Sequence, residues 1–594
     1  MPRNKLAERF LPDISLLSGS ALLIAVLIAL PVLSVFSNVL LGGTSETWAH
    51  MAETVLGEFI HNTVVLCVVV GIGVAIIGVS CAWFTTMYEF PGRRVFEWAL
   101  VLPLAMPAYV MAYVYTDFLQ FVGPVQSALR ETFEWRRGDY WFPDIRSTGG
   151  AAAMFIFVLY PYVYLLARTA FLERAGGMLE AGRSLGLGPW RSFFQVSLPL
   201  ARPALVAGVA LALMETLADY GTVAYFGVQT FTTGIYRAWF SFGDRVAAAQ
   251  LAALLLSFVI IVLVLERASR GRARFNNTSR QVAAPLRVRL RGLAGVGVSL
   301  SCLLPLFFGF LLPGGLLLQM AFNQGDAQFG PRFLLLARNS FVLASVAAVL
   351  AVGLALLLAY AARLSRSYWP SWGNRIVGLG YAVPGSVIAV GVLIPVTRLD
   401  NFISATWLEW TGVNPGLILT GGVAALIYAY LARFLAIALH TVDASLSKIT
   451  PSMDDASRIL GHGRLATLWK VHRPMLRGSL LTAGLLVFVD VMKELPATLV
   501  MRPFNFDTLA TQAHTLAADE RLAEASTSAL TIVLVGIVPM IVLSRQIVKS
   551  RRERSLKPPA PAQGTSMASS ASPVSSVSSA SAPSASASSQ AAGS

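Results

Sequence analysis

Apolar runs of twenty residues or more recur from one end of this sequence to the other, and no other feature constrains its fold as tightly. About 30 Å of hydrocarbon takes roughly 20 helical residues to cross. Twelve stretches come to about that length: Ile14–Leu41, Asn62–Met87, Phe96–Leu119, Ala151–Leu172, Pro203–Phe226 and Ala247–Leu265, then Leu290–Gln319, Asn339–Leu364, Ile376–Thr397, Gly416–Ala438, Ser479–Val500 and Ser526–Ile547. Inside lipid every backbone N–H and C=O must be paired within the chain, so runs this long read as helices. The expectation is an all-α polytopic membrane protein with twelve transmembrane helices. Only 13% of the residues are charged, against about 25% in soluble domains that face water on every side.

Arg3, Lys5 and Arg9 precede the first run, as in a secretory signal. That run is too long for one, and no small-residue cleavage site closes it, so it reads as a retained span. Most of the 46 Lys and Arg fall on the side of the membrane that holds the N-terminus, which places both termini in the cytoplasm. The net charge of +15 then belongs to span ends attracted by anionic lipid rather than to a nucleic-acid surface. Cys67, Cys81 and Cys302 lie inside apolar runs with no C-x-x-C spacing; they read as small packing residues, not as a disulfide framework or a metal site. No G-x-x-x-x-G-K-[ST] occurs, so no P-loop is expected to hold nucleotide. The chain is not expected to be an enzyme or to hold a cofactor of its own.

The unit of six spans is written twice. Asn62 and Pro107 have counterparts 277 residues later in Asn339 and Pro384, while Gly186, Pro199, Glu215, Asp219 and Phe231 have theirs 275 residues later in Gly461, Pro474, Asp490, Glu494 and Phe506. Six spans per copy make the halves parallel, facing one another across an axis normal to the membrane. The domain reading is a cytoplasmic N-terminus at 1–13, a first six-span domain at 14–265 and a cytoplasmic linker at 266–289. A second six-span domain follows at 290–547. The tail at 548–594, basic and then rich in Ser and Ala, cannot bury enough apolar area to order itself.

Between the fourth and fifth runs, in the loop 173–202, stands Glu180-Ala181-Gly182-Arg183-Ser184-Leu185-Gly186, and nine residues later Val196-Ser197-Leu198-Pro199. The second copy, within 440–478, reads Asp455-Ala456-Ser457-Arg458-Ile459-Leu460-Gly461 and then Val471-His472-Arg473-Pro474. Glycine permits a tight reversal between helical stretches, so each loop is expected to form two short helices and an elbow. The spacing resembles the E-A-A, three residues, G, nine residues, I-x-L-P signature of permeases in binding-protein-dependent ABC importers, with Asp replacing Glu and Arg473 replacing Leu in the second copy. The resemblance implies two pseudo-symmetric type I permease domains. It also implies a dimeric cytoplasmic ATPase as partner, one subunit per elbow, coupled through Glu180, Ala181, Gly186, Pro199, Asp455, Ala456, Gly461 and Pro474.

A fused chain of two such halves is similar to the ferric-iron permeases and to the related thiamine permeases. The stretch from Asp490 to Thr511 resembles the ferric branch, which implies a periplasmic ferric-binding protein as donor. On their own terms Glu215 and Asp219 lie four apart on one face of the fifth span, and Asp490 and Glu494 repeat the pattern on the eleventh. From Pro203, Asp219 lies about 24 Å into the membrane. Four converging carboxylates suit a hard cation. Alternatively, neutralised by Lys493 or by protonation, they lock helices together. The outer segment Glu134 to Phe142 reads either as a docking surface for the binding protein or as an interfacial aromatic belt. Thiamine, polyamines and oxyanions remain as other cargoes, and a secondary transporter as another class.

Overall fold

The structure, a computed structural model, describes residues 16–556 except 42, 44, 137, 185, 187, 271–286, 324–328 and 366. The N-terminal segment 1–13, most of the linker 266–289 and the tail beyond 556 lie outside the described residues. All the spans belong to one compact unit, Met1–Arg545; Gln546–Ser594 forms a second, of which 546–556 are helical. Among the described residues eleven helices are long and apolar enough to cross a membrane, and a pair bent by 90°, Arg93–Ala105 with Ala108–Phe133, makes a twelfth when counted as one broken span. Among the described residues the only sheet is a two-residue parallel pairing of Tyr88–Glu89 with Val288–Arg289.

Four of the expected spans are not continuous, for a reason that repeats in each half. The third span breaks at Pro107 and the ninth at Pro384. Proline lacks an N–H and forces the residue before it out of the helical region. Met106 accordingly sits at φ −92°, ψ 114° and Val383 at φ −79°, ψ 124°. The ninth span therefore consists of Trp369–Gly378, a short 3-10 turn and Gly385–Thr411. The fifth span ends at Ala218, where Asp219 turns extended, and resumes as the short helix Gly221–Tyr225. The eleventh ends at Met492 and resumes as Pro496–Met501, with Pro496 as the breaker. The reading of Pro203–Phe226 and Ser479–Val500 as single helices is thus corrected. So is the inference that the acids of each pair share one helical face. The tenth span is also shifted, running Ala424–Leu446 rather than from Gly416.

The halves exchange their first spans. Helix Leu16–Leu41 packs on the two pieces of the ninth span, in the other half, and the seventh span, Leu293–Asn323, packs on the third and fourth. Hydroxyls fasten both crossings: Tyr428 donates to the Leu27 carbonyl at 2.5 Å and Tyr115 to the Phe308 carbonyl at 2.6 Å. Small residues permit the close approach, since membrane helices gain from contact rather than from excluding water. A Cβ on Gly391 would lie 2.2 Å from the Pro31 carbonyl oxygen, and one on Gly309 2.6 Å from that of Phe157.

Gly391→Leu should therefore force the crossing apart, at a cost of about 1–3 kcal/mol or more. Gly297→Ala, with nothing within 4 Å, should not. The check is the thermal unfolding midpoint of the full chain in detergent, lowered for the first variant alone.

Candidate functional site

The fifth and eleventh spans each resume with unpaired backbone donors, and a carboxylate meets them. Asp219 Oδ2 accepts from the N–H groups of Thr222 at 2.9 Å and Val223 at 3.3 Å. Glu494 takes the same positions in the second copy, accepting from Ala497 at 2.8 Å and Thr498 at 3.0 Å, and from the Thr498 hydroxyl at 2.6 Å. Such caps satisfy otherwise orphaned groups and place negative charge at the positive end of a helix. Two of the four predicted acids are thus helix caps. The repeat extends outward: Asn62 donates to the Gln229 carbonyl at 2.9 Å and Asn339 to that of Asp507 at 3.2 Å, so each holds down the segment that follows the break.

All four acids nonetheless line one cavity, of about 100 Å³, at the junction of the halves. Tyr109, Tyr162, Tyr381, Arg433 and Lys493 line it too. Glu215 accepts the Tyr381 hydroxyl at 2.5 Å and faces Arg433 Nη2 at 3.9 Å. Arg433 Nη1 stands 3.5 Å from Glu494, and Lys493 pairs with Asp490 at 2.8 Å. The Lys493 reading was open in the sequence; Arg433 and the tyrosines were missed. Arg433 carried a usable signal, a lone cation inside the tenth apolar run, because an intramembrane charge marks a site by default. The tyrosines carried none, being indistinguishable from packing aromatics. Among the described residues no group of three or more His, Cys, Asp and Glu side chains is arranged to hold a metal ion.

The second candidate region lies at the elbows. Gly186 has φ +80° and Gly461 φ +79°, and a Cβ at either would meet open space. Glycine is therefore required by backbone conformation rather than crowding. After helix Pro451–Ile459, Gly461 N–H bonds the Arg458 carbonyl and His462 N–H that of Ser457, the paired bonds of a Schellman stop. In the first copy the helix of the fourth span runs on to Ser184, so a separate short helix before the elbow is found only in the second. The side chains of Glu180 and Ala181 lie outside the described residues. Each elbow is followed by a π-helical turn, Phe193–Ser197 and Leu468–His472. Pro199 and Pro474 stand two residues beyond these turns; their rings would meet the carbonyls of residues 195 and 470 in a regular helix, and the wider turn relieves that clash.

Asp455 and Ala456 are exposed, and Asp455 meets only Arg458 at 3.3 Å. The neighbour Asp454 does more. It pairs with Arg363 at 2.9 Å and with His472 at 2.7 Å, and Arg363 also donates to the Leu446 and Ile449 carbonyls. This fastening of elbow to eighth span was not foreseen, and His472 is buried. His514 meets the Tyr113 hydroxyl at 2.7 Å across the halves.

Two like halves, spans broken at a shared polar cavity, and paired elbows at one end define a polytopic permease. Residues 73–274 match the family described as binding-protein-dependent transport system inner membrane component. A molybdenum transport system permease of Escherichia coli is 30% identical over 207 residues, covering 33% of this chain and 87% of that protein. An Fe(3+)-transport system permease of Haemophilus influenzae is 27% identical over 544 residues, 89% of this chain and 98% of that protein. A ferric transport system permease of Actinobacillus pleuropneumoniae is 24% identical over 571 residues, covering 90% and 79%. The chain belongs to the family of binding-protein-dependent inner membrane transport components, as a permease of an ABC importer.

Asp219→Ala would orphan the two donors it caps, and about 0.5–2 kcal/mol of stability should be lost. Asp219→Asn, which keeps an acceptor oxygen, should restore more than half of it. Thermal unfolding of the two purified variants checks the difference.

Proposed function

We propose that this permease moves ferric iron, delivered by a periplasmic binding protein, inward by alternating access driven by a separate ATPase. The observation that carries the cargo is that ferric relatives align along 89% and 90% of the chain, whereas the molybdenum relative aligns with 33%. The cavity supports it chemically, since carboxylates and tyrosyl hydroxyls are hard oxygen donors suited to a hard cation. Glu215, Asp219, Asp490 and Glu494 line the path in this reading. Lacking a closed cage of ligands, they pass the ion on instead of storing it, and the binding protein supplies the affinity.

The elbows receive the force. Trp190, Phe194, Ile459, Leu460 and Trp469 are exposed around them, and contiguous exposed apolar residues suit a protein partner. Each elbow runs through its π-helical turn into the span whose far end carries the acids. An ATPase pair closing on ATP then moves each such span as a body and repacks the halves. Both termini and both elbows face the cytoplasm in this arrangement. Residues Glu134 to Phe142, where Trp135 stacks between Phe133 and Tyr140, face the binding protein.

Deleting the chain should abolish binding-protein-dependent uptake of radiolabelled ferric iron and leave molybdate and sulfate uptake unchanged. Undiminished iron uptake in a strain with no second ferric system would overturn the cargo. Gly461→Val or Leu460→Glu should lower ATP-driven uptake at least tenfold at unchanged membrane abundance. Wild-type uptake in both would sink the coupling role.

A further inference from the structure

The cavity's two cations both come from the second half. Arg433 stands on the tenth span and Lys493 just after the eleventh, while the positions 275 residues earlier are Val158 and Ala218. The acids divide evenly, two from each half. The first half therefore brings two negative charges to the junction, and the second brings two acids balanced by two bases. Lys493 is held locally by Asp490 three residues before it, at 2.8 Å. Arg433 alone reaches from a carboxylate of its own half to one of the other.

Its bonds are loose. A charge-assisted N–H to carboxylate contact is about 2.7–2.9 Å when well made, yet Arg433 lies 3.5 Å from Glu494 and 3.9 Å from Glu215. Both acids have tighter partners, Glu494 in the N–H groups it caps and Glu215 in Tyr381. The guanidinium Nε has no hydrogen-bond partner, although the residue is only 7% exposed. Opposite it, Gly385 leaves room that a side chain would take: a Cβ there would lie 2.8 Å from Glu494 Oε1 and 3.1 Å from Arg433 Nη1. A buried cation with loose contacts and an unfilled donor is placed to leave.

We propose that Arg433 is a tethered counter-cation that closes the path between loads, bridging Glu215 and Glu494 across the halves and yielding them to a trivalent cation cargo. The proposal rests on the ferric reading for its cargo and adds what occupies the site when cargo is absent. With Arg433 in place the cluster is partly neutral and the halves are tied together. A trivalent ion outcompetes one guanidinium for the carboxylates, the tie breaks, and the halves are free to repack. When the ion leaves inward, Arg433 returns, so release is driven by a residue that never leaves the protein. Selectivity follows from the same exchange, because a monovalent ion gains nothing over the guanidinium it must displace.

Terbium(III), a trivalent oxygen-seeking ion whose luminescence is sensitised by nearby tyrosine, reads this competition directly in the full chain in lipid nanodiscs. Tyr162 and Tyr381 line the cavity as sensitisers. Arg433→Gln should bind terbium at least tenfold more tightly than wild type, Arg433→Lys should fall between, and adding Glu215→Gln to Arg433→Gln should remove the gain. A variant that binds no tighter, or a gain that survives Glu215→Gln, overturns the proposal. Should Arg433→Gln not fold, Glu494→Gln and the double Arg433→Gln/Glu494→Gln, in which the pair is removed together, make the same comparison; equal affinities overturn it. Failure of the ferric reading registers separately. Tighter terbium binding with undiminished cellular iron uptake keeps the counter-cation and assigns it another cation; lost iron uptake with no terbium gain keeps iron and removes the counter-cation.

Discussion

A helix that breaks and resumes inside a membrane leaves the first backbone N–H groups of its second segment with no water to receive them, and each such group costs several kcal/mol unless the protein supplies an acceptor. Most of what is particular to this permease depends on how it meets that constraint. Two spans stop at Asp219 and Lys493, and the same side chain that meets the freed donors also brings a negative charge to the junction between halves. Arg433 faces the charge of Glu494, while Lys493 and the Tyr381 hydroxyl meet the other two acids gathered there, Asp490 and Glu215. The polar cavity is therefore a consequence of the breaks as much as a purpose of them.

Pseudo-symmetry holds for the backbone breaks and the four acids and fails for the basic side chains. The elbow glycines have φ values within a degree of one another, the π-helical turns are of equal length, and the asparagine anchors act alike. The cations do not repeat. Nor does the triad of Arg363, Asp454 and His472, whose first-half counterparts are Thr86, Leu179 and Ser197. A chain carrying both halves can specialise each, whereas a dimer of identical subunits must place the same residue on both sides of the axis. Here both of the cavity's cations stand in one half.

Much of this was legible in residue order. Length and apolarity gave twelve crossings, and the two offsets gave the duplicated unit. Spacing around Gly186 and Gly461 located the elbows, because positive φ and proline clashes are local properties. Pro107 and Pro384 were visible as repeated prolines, but not as the points where two spans break. The pairing of Glu215 and Asp219 by helical spacing failed for the same reason: a four-residue interval means one face only while the helix continues. Cross-half contacts such as Tyr381 to Glu215 and Tyr113 to His514 join residues far apart in sequence, and no periodicity encodes them.

The exchange of first spans has a consequence in time. The Pro31 carbonyl rests against Gly391, about 360 residues later; at roughly 5–20 residues per second of synthesis, the first helix waits on the order of 20–70 s for its seat to exist. Throughout that interval its docking face is covered by lipid or by the insertion machinery rather than by its own protein. Neither half completes its packing alone: a chain that stops after the sixth span has Leu16–Leu41 beside Arg245–Arg270 of its own half but without its seat on the ninth span, and it leaves unfilled the groove on the third and fourth spans that the seventh would occupy.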